Sequence, residues 1–308
     1  MMQTATTEIL KPQRKKTILF EINQHWTENL LRNGDESLAS LLPVMGKPLI
    51  VYNVEKILQK DKSIDQIFLP REFSSVAALL KNAFSALDIQ KYGDVKECAD
   101  LDPFRIPLNS AVLVSDSGYV VKPIVYPWDI LRLVLEIIRN EVRFTSISEK
   151  ALISDTAVIK GPCVIEDGVS IDDFTKISGP VYIGKNSKIG TGNLVRECVI
   201  GEDSMVGFGC EIARSVLAGK NKISHHDVIL DSIVGQNTWM GAFVGTTNLL
   251  LNNEAIKFRL GNNFVSTGLE HFGAVIGRDC AIGAGVIILP GRNVPKNSTI
   301  QAGTIISK

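Results

Sequence analysis

The sequence predicts an α/β domain over residues 1–145 followed by a parallel β-helix over residues 146–308, and three observations predict it. First, an aliphatic residue recurs at every sixth position from Ile153 through Ile159, Ile165, Ile171, Ile177, Ile183, Ile189 and Val195. The same count resumes through Ile276, Ile282, Ile288, Val294, Ile300 and Ile306. Second, small or turn-forming residues follow these positions, as in Ile183-Gly184-Lys185-Asn186 and Ile276-Gly277-Arg278-Asp279. Third, the count in sixes is absent upstream of about residue 145, where strand-like and helix-like segments alternate.

In the N-terminal part, residues 17–20, 66–69 and 110–114 read as short buried strands, and 49–58, 75–87 and 127–142 carry apolar residues at helical spacing. Pro127 suits a first helical turn, and the apolar face Ile130, Leu131, Val134, Leu135, Ile138 is expected to pack on the sheet or to cover the open end of the solenoid. From residue 146, each short strand ends in a tight turn, three strands make a triangular coil, and the aliphatics stack inside the prism. Sandwich strands would instead alternate with period two and space unevenly. Two stretches break the count. The step from Val195 to Ile200 is one residue short, and the region 241–273 contains a segment, 249–268, that does not thread in sixes. Such interruptions protrude as loops, and the second is the better candidate for binding chemistry.

The 308 residues carry 33 Lys and Arg against 33 Asp and Glu, with a pI near 6.9, so charge gives no reason to expect a nucleic-acid or membrane partner. A small metabolite is the expected ligand. Five cysteines, dispersed and without a CxxC pair, indicate neither a disulfide framework nor a zinc knuckle and read as cytoplasmic. Residues 1–16 are polar and end basic, with no apolar core of a signal peptide, and no long uncharged apolar run follows.

Only four histidines occur: His25, His225, His226 and His271. The doublet lies in Ser224-His225-His226-Asp227, where neighbouring side chains of an extended segment point to opposite sides, so one at most faces a given cleft. An imidazole there is able to take a proton from an amine or hydroxyl attacking a thioester carbonyl; the alternative is an incidental surface histidine. Zinc needs three converging imidazoles, and no His-x4-His spacing accompanies the doublet, so no metal site is expected. After residues 17–20 the first glycine is Gly34, which leaves no phosphate-cradling turn.

The run Gly207-Phe208-Gly209-Cys210-Glu211-Ile212, His225, Asp231-Ser232-Ile233-Val234-Gly235, Gly241-Ala242, Ser266-Thr267-Gly268-Leu269 and Gly273-Ala274-Val275-Ile276-Gly277 resembles, in order and spacing, one family. This is the bifunctional sugar-1-phosphate nucleotidylyltransferase/glucosamine-1-phosphate N-acetyltransferases, particularly the archaeal type. Leu42-Pro43-Val44-Met45-Gly46-Lys47-Pro48-Leu49-Ile50 and Tyr126-Pro127-Trp128-Asp129-Ile130-Leu131 resemble its Lys-Pro and Pro-Trp-Asp segments.

The resemblance implies a left-handed β-helix, a homotrimer and acetyl-CoA as acyl donor. It implies His225 as acetyltransfer base, Arg196 on the sugar phosphate, Lys257 near the substrate, and Glu211, Trp239 and Asn248 in the substrate pocket. Ala242 then borders the thioester, and Ala284 and Ala302 line the coenzyme groove. Ala213 stands where the family has a lysine, Val228 where it has a tyrosine and Trp239 where it has an asparagine, which implies a changed substrate. Trp239 either stacks on a sugar or fills the pocket. The Gly-x-Gly-Thr-Arg signature and a Mg-binding aspartate are absent and the N-terminal domain is short. Nucleotidyl transfer is therefore not expected, and Mg²⁺ would be required only if it survived. Two functions follow: acetyl-CoA-dependent N-acetylation of an amino-sugar phosphate or related sugar, or, as the alternative, non-catalytic sugar-nucleotide binding in a regulatory or assembly role.

Overall fold

The computed structural model describes residues 16–21, 42–98, 101, 103–115, 118–260 and 262–307. The turn after the first strand, with His25 and Gly34, lies outside the described residues. The chain forms two compact units, whose described parts are 16–21 with 54–108, and 42–53 with everything from Asn109 onward.

The smaller unit is a parallel sheet in the order Asp88–Tyr92, Ile64–Pro70, Lys16–Glu21, Phe104–Pro107. Ile18, Leu19, Phe20, Ile67 and Leu69 are buried, as expected of parallel strands covered on both faces. The helix Ser74–Ala83 ends four residues before the 87 expected, because Phe84 leaves the helical conformation (φ −133°) and its N–H closes on the Leu80 carbonyl at 2.8 Å. The strand expected at 110–114 is not part of this sheet. Ser110–Ser115 pairs antiparallel with Gly118–Pro123 and belongs to the larger unit.

The larger unit contains a left-handed parallel β-helix of three eight-stranded sheets. Face A runs from Leu152–Ile153 to Thr299–Ile300, face B from Val158–Lys160 to Ile305–Ile306, and face C from Ser146–Ile147 to Arg292–Val294. The aliphatics spaced by six fill the lumen, among them Ile165, Ile171, Ile177, Ile183, Ile189, Val195, Ile276, Ile282 and Ile288, in one continuous apolar core. No disulfide joins the five cysteines, all of which are buried; Cys163, Cys198, Cys210 and Cys280 belong to this core.

The first coils repeat every 18 residues, as between Thr175 and Asn193, and the following ones every 17, as between Phe208 and His225. The short step at Val195–Ile200 is thus one of three: Ile183, Ile200, Leu217 and Val234 pair in succession at the shortened spacing. Each corner between faces B and C loses one residue and closes through a left-handed residue, Glu197 (φ 47°), Arg214 (φ 46°) and Asp231 (φ 44°). Val234 then pairs with Ile276; between them the chain first adds Trp239–Met240 to face A and Gly245–Thr246 to face B, and only then leaves the solenoid, carrying the hairpin Lys257–Leu260 and Asn263–Ser266.

The outward residues of face C, Tyr182, Val199, Val216 and Ile233, are apolar and covered. The helix Pro127–Glu141 does the covering, together with Ile256, Phe258 and Phe272 from the insertion. Trp128 makes edge contacts with Phe258 and Phe272 at ring separations of 5.6 and 6.3 Å. The helix therefore lies along a flank of the column rather than over its open end, and it buries Leu133 and Ile137 as well as the expected face, with Ile130 only partly covered. Asp129 starts it by accepting the Val125 and Tyr126 N–H groups at 3.1 and 2.9 Å. Upstream, Pro43–Val44 and Lys47–Pro48 form a tight hairpin through Met45 (φ 50°) and Gly46 (φ 74°), the paired left-handed turn that two-residue hairpins favour. A Cβ on Gly46 would stand 2.6 Å from the Tyr182 hydroxyl.

Candidate functional site

Between faces A and B the turns stack into a column. The Phe243 N–H meets the His225 carbonyl (2.9 Å), the Gly285 N–H that of Ala242 (2.8 Å) and the Gly303 N–H that of Ala284 (2.8 Å). His225, Ala242, Ala284 and Ala302 thus occupy one position of successive turns. His225 and His226 are both exposed. The Phe208 N–H donates to His225 Nδ1 at 3.0 Å, so the neutral ring keeps its proton on Nε2 and offers a donor there. Gly207 makes this approach possible, since a Cβ would run into the Ser224 carbonyl and stand 2.8 Å from His225 Nδ1. His226, left-handed at φ 57°, stacks on Phe243 (5.1 Å, 15°) and meets Phe208 edge-on (5.0 Å).

Beneath the doublet, Asp227 is fully buried. Its carboxyl accepts the Val244 N–H at 2.7 Å and the Ser224 N–H at 3.2 Å, and burial pushes its pKa up to about 7.

The other expected residues divide around this corner. Trp239 stands on face A, 56 % exposed, in register with Lys222 and Ala281. Glu211 begins its strand on face B, and Arg196 ends the neighbouring one there; the Arg196 guanidinium meets one Glu211 oxygen at 2.6 and 3.2 Å. Asn248 lies at the root of the insertion and donates to Asp231 at 2.5 Å; Asp231 also takes a two-pronged pair from Arg214, both contacts 2.7 Å. That pair turns Arg214 toward the corner between faces B and C and raises its guanidinium pKa, while Ala213 is fully buried. His271 Nδ1 stands 3.4 Å from the Asn248 amide, and Lys257 is exposed where the hairpin begins. A single chain thus gathers His225, Ala242, Ala284 and Ala302 at one corner, flanked by Trp239 and Glu211. It sets Arg196 and Asn248 at the far end of face B and Lys257 on the hairpin.

Sequence reasoning missed Asp227 and the Arg214–Asp231 pair. Asp227 was in principle visible, because the residue two before each lumen aliphatic turns inward and here it is a carboxylate among Thr175, Asn193, Cys210 and Val244. Two grooves open on the solenoid, the first at the corner between faces C and A and the second at the histidine corner. One of 340 Å³ is lined by Lys220, Lys222, Asn237, Thr238 and Trp239. The other, 400 Å³, is largely apolar and is bordered by His226, Val228, Leu230, Phe243, Leu249 and Ile287. No helix among the described residues is long and apolar enough to cross a membrane.

A six-residue parallel β-helix whose turns stack a histidine over small residues defines the class of hexapeptide-repeat acyltransferases. The family profile of the GMPPB C-terminal domain matches residues 177–261. The chain is 32% identical over 182 residues to the bifunctional protein GlmU of Methanococcus aeolicus, covering 59% of this chain and 43% of that protein. It is 31% identical over 163 residues to the uncharacterized acetyltransferase YaiX of Escherichia coli (strain K12), covering 47% and 70%. It is 28% identical over 214 residues to the bifunctional sugar-1-phosphate nucleotidylyltransferase/acetyltransferase of Sulfurisphaera tokodaii, covering 66% and 53%. The chain belongs to the acetyltransferase family of YaiX, of which it covers 70%, and it is similar to the two bifunctional proteins over only 43% and 53% of their length.

Proposed function

We propose that the chain is an acetyl-CoA-dependent acyltransferase that N-acetylates an amino-sugar phosphate or a related sugar, working as a homotrimer through its solenoid. The observation that carries this reading is the exposed column in which His225 is followed, turn by turn, by Ala242, Ala284 and Ala302. Small side chains there put little bulk in the way of a long thioester arm laid along the turns with its acyl carbon beside the imidazole. In the transfer, the acceptor amine forms a C–N bond to the acyl carbon and the C–S bond breaks. The amine gives up a proton and the departing sulfur gains one. His225 is the group placed to move that proton. Its Nε2–H serves as a donor to the thioester, and to accept the amine proton the ring must release the Phe208 N–H and turn Nδ1 outward.

The acceptor ring is placed on Trp239, with its phosphate on Lys220 and Lys222, because Arg196 is already occupied by Glu211 in the same chain. Asn248 borders the same groove as His226, whereas Arg196 and Lys257 are taken to serve an acceptor held by a neighbouring subunit, which is why the trimer is part of the proposal. Residues 1–145 are taken as a degenerate nucleotidyltransferase-like portion, and nucleotidyl transfer with its Mg²⁺ forms no part of the reading. The apolar lining around Val228 favours a second reading, a non-catalytic sugar-nucleotide binder.

The deciding experiment is release of the coenzyme thiol from acetyl-CoA in the presence of a panel of amino sugars. His225→Ala is expected to lower turnover by at least about 100-fold. Equal turnover by variant and wild type removes the mechanism. Thermal stabilisation by acetyl-CoA supports the enzyme, and stabilisation by a nucleotide sugar alone supports the binder.

A further inference from the structure

On the lumen side of its corners the solenoid carries a ladder of polar side chains that the transfer chemistry does not use. Thr175 Oγ1 donates to the Gly190 carbonyl (2.7 Å), Asn193 Nδ2 to that of Gly207 (2.7 Å) and Cys210 Sγ to that of Ser224 (3.5 Å). Ser187 and Asn221 do the same at the corner between faces C and A, toward Gly201 (3.0 Å) and Gly235 (2.7 Å). From Ser187 to Asn221 the donor and the carbonyl it serves are 14 residues apart. The same step from Asp227 lands on Gly241, the residue before Ala242.

Asp227 fills this place as Asn193 does one pair of coils earlier. Asn193 Oδ1 accepts the Cys210 N–H at 2.7 Å, and Asp227 Oδ1 accepts the Val244 N–H at 2.7 Å. They differ at the second atom. Asn193 has an NH₂ that serves two carbonyls, at 2.5 and 2.7 Å, whereas Asp227 has an oxygen whose one partner among the described residues is the Ser224 N–H at 3.2 Å. An ionised carboxylate turns a second acceptor toward a carbonyl-lined corner, and a neutral carboxyl supplies the missing donor. Cys210, from the preceding coil, is the titratable group facing it from the lumen, and burial pushes that thiol up to about 11. Val244 faces it from the next coil, and His225 and His226 flank it outside. No lysine or arginine pairs with it among the described residues.

We propose that Asp227 is a positioning residue whose neutral carboxyl bolts the His225 turn to the Gly241–Ala242 turn of the next coil. One buried proton then sets the spacing between the imidazole and the place where the thioester lies. The bolt stands with or without acetyl transfer; that it serves catalysis rests on the reading above. Burial raises the folded pKa from 3.8 to about 7, so the bolt's contribution to stability is full below about pH 4 and is lost as pH rises through 7.

The test compares thermal unfolding of the full-length wild type and Asp227→Asn between pH 5 and pH 9, with exchange of the Val244 amide hydrogen measured alongside. The amide copies the Asn193 pattern without a titrating proton. Wild type is expected to lose roughly 5 °C more than the variant across that interval, and at pH 9 its Val244 amide should exchange about tenfold faster than the variant's. Parallel melting curves, or an Asp227→Asn protein as unstable at pH 5 as Asp227→Ala, would overturn the proposal. Neither readout involves turnover, so this outcome and that of the thioester assay are read independently.

Discussion

Asp231 gathers the Arg214 guanidinium and the Asn248 amide on one carboxylate whose side chain is 8% exposed. Removing the cation leaves a buried charge facing a single amide, and a one-sided break of this kind typically costs about 3–5 kcal/mol. Arg214→Ala is therefore expected to lower stability in urea by roughly 3 kcal/mol, against much less for Arg139→Ala, whose pair with Glu197 is about half exposed. At this scale the sequence was read unevenly. His225 and Ala242 were legible because a count of six fixes which residues fall on a turn. The Arg214–Asp231 contact was not, because it spans two coils and depends on corners that each lack one residue.

The solenoid was legible as an element because its period is set by geometry: every sixth side chain must fill the same lumen, so the pattern survives any change on the outside. The N-terminal strands lack such a constraint. Asp88–Tyr92 alternates irregularly between exposed and buried residues, and Phe104–Pro107 is four residues long, so neither stood out. The insertion was visible as a gap in the count, but its hairpin and its burial of Phe258 and Phe272 against Trp128 were not. Phe258→Ala should cost about 3–5 kcal/mol and make the insertion the first site cut in limited proteolysis. Gly207→Ala acts on a turn instead. Its methyl would run into the Ser224 carbonyl oxygen as well as stand 2.8 Å from His225 Nδ1, so the stacked turns must part, and the variant is expected to melt below wild type by circular dichroism and to lose at least about tenfold in the thioester assay.

For the molecule as a whole, the proposed trimer has a direct check. Light scattering should give three times the 33.7 kDa chain mass. Arg196→Glu combined with Glu211→Arg, which preserves the pair, should leave that mass unchanged. A monomer throughout the micromolar range would remove the shared groove and with it any role for Lys257 in the proposal.

The thiols enclosed in the column have a use of their own. Burial holds the Cys198 and Cys210 sulfurs at pKa values of about 12 and 11, so the intact protein has little thiolate for a disulfide reagent to attack. Cys163, Cys198, Cys210 and Cys280 are spread from the early coils to the late ones, so each is a built-in chemical clock for its own rung of the stack. The order in which they become labelled under mild denaturant would report whether the column frays from one end or opens all at once.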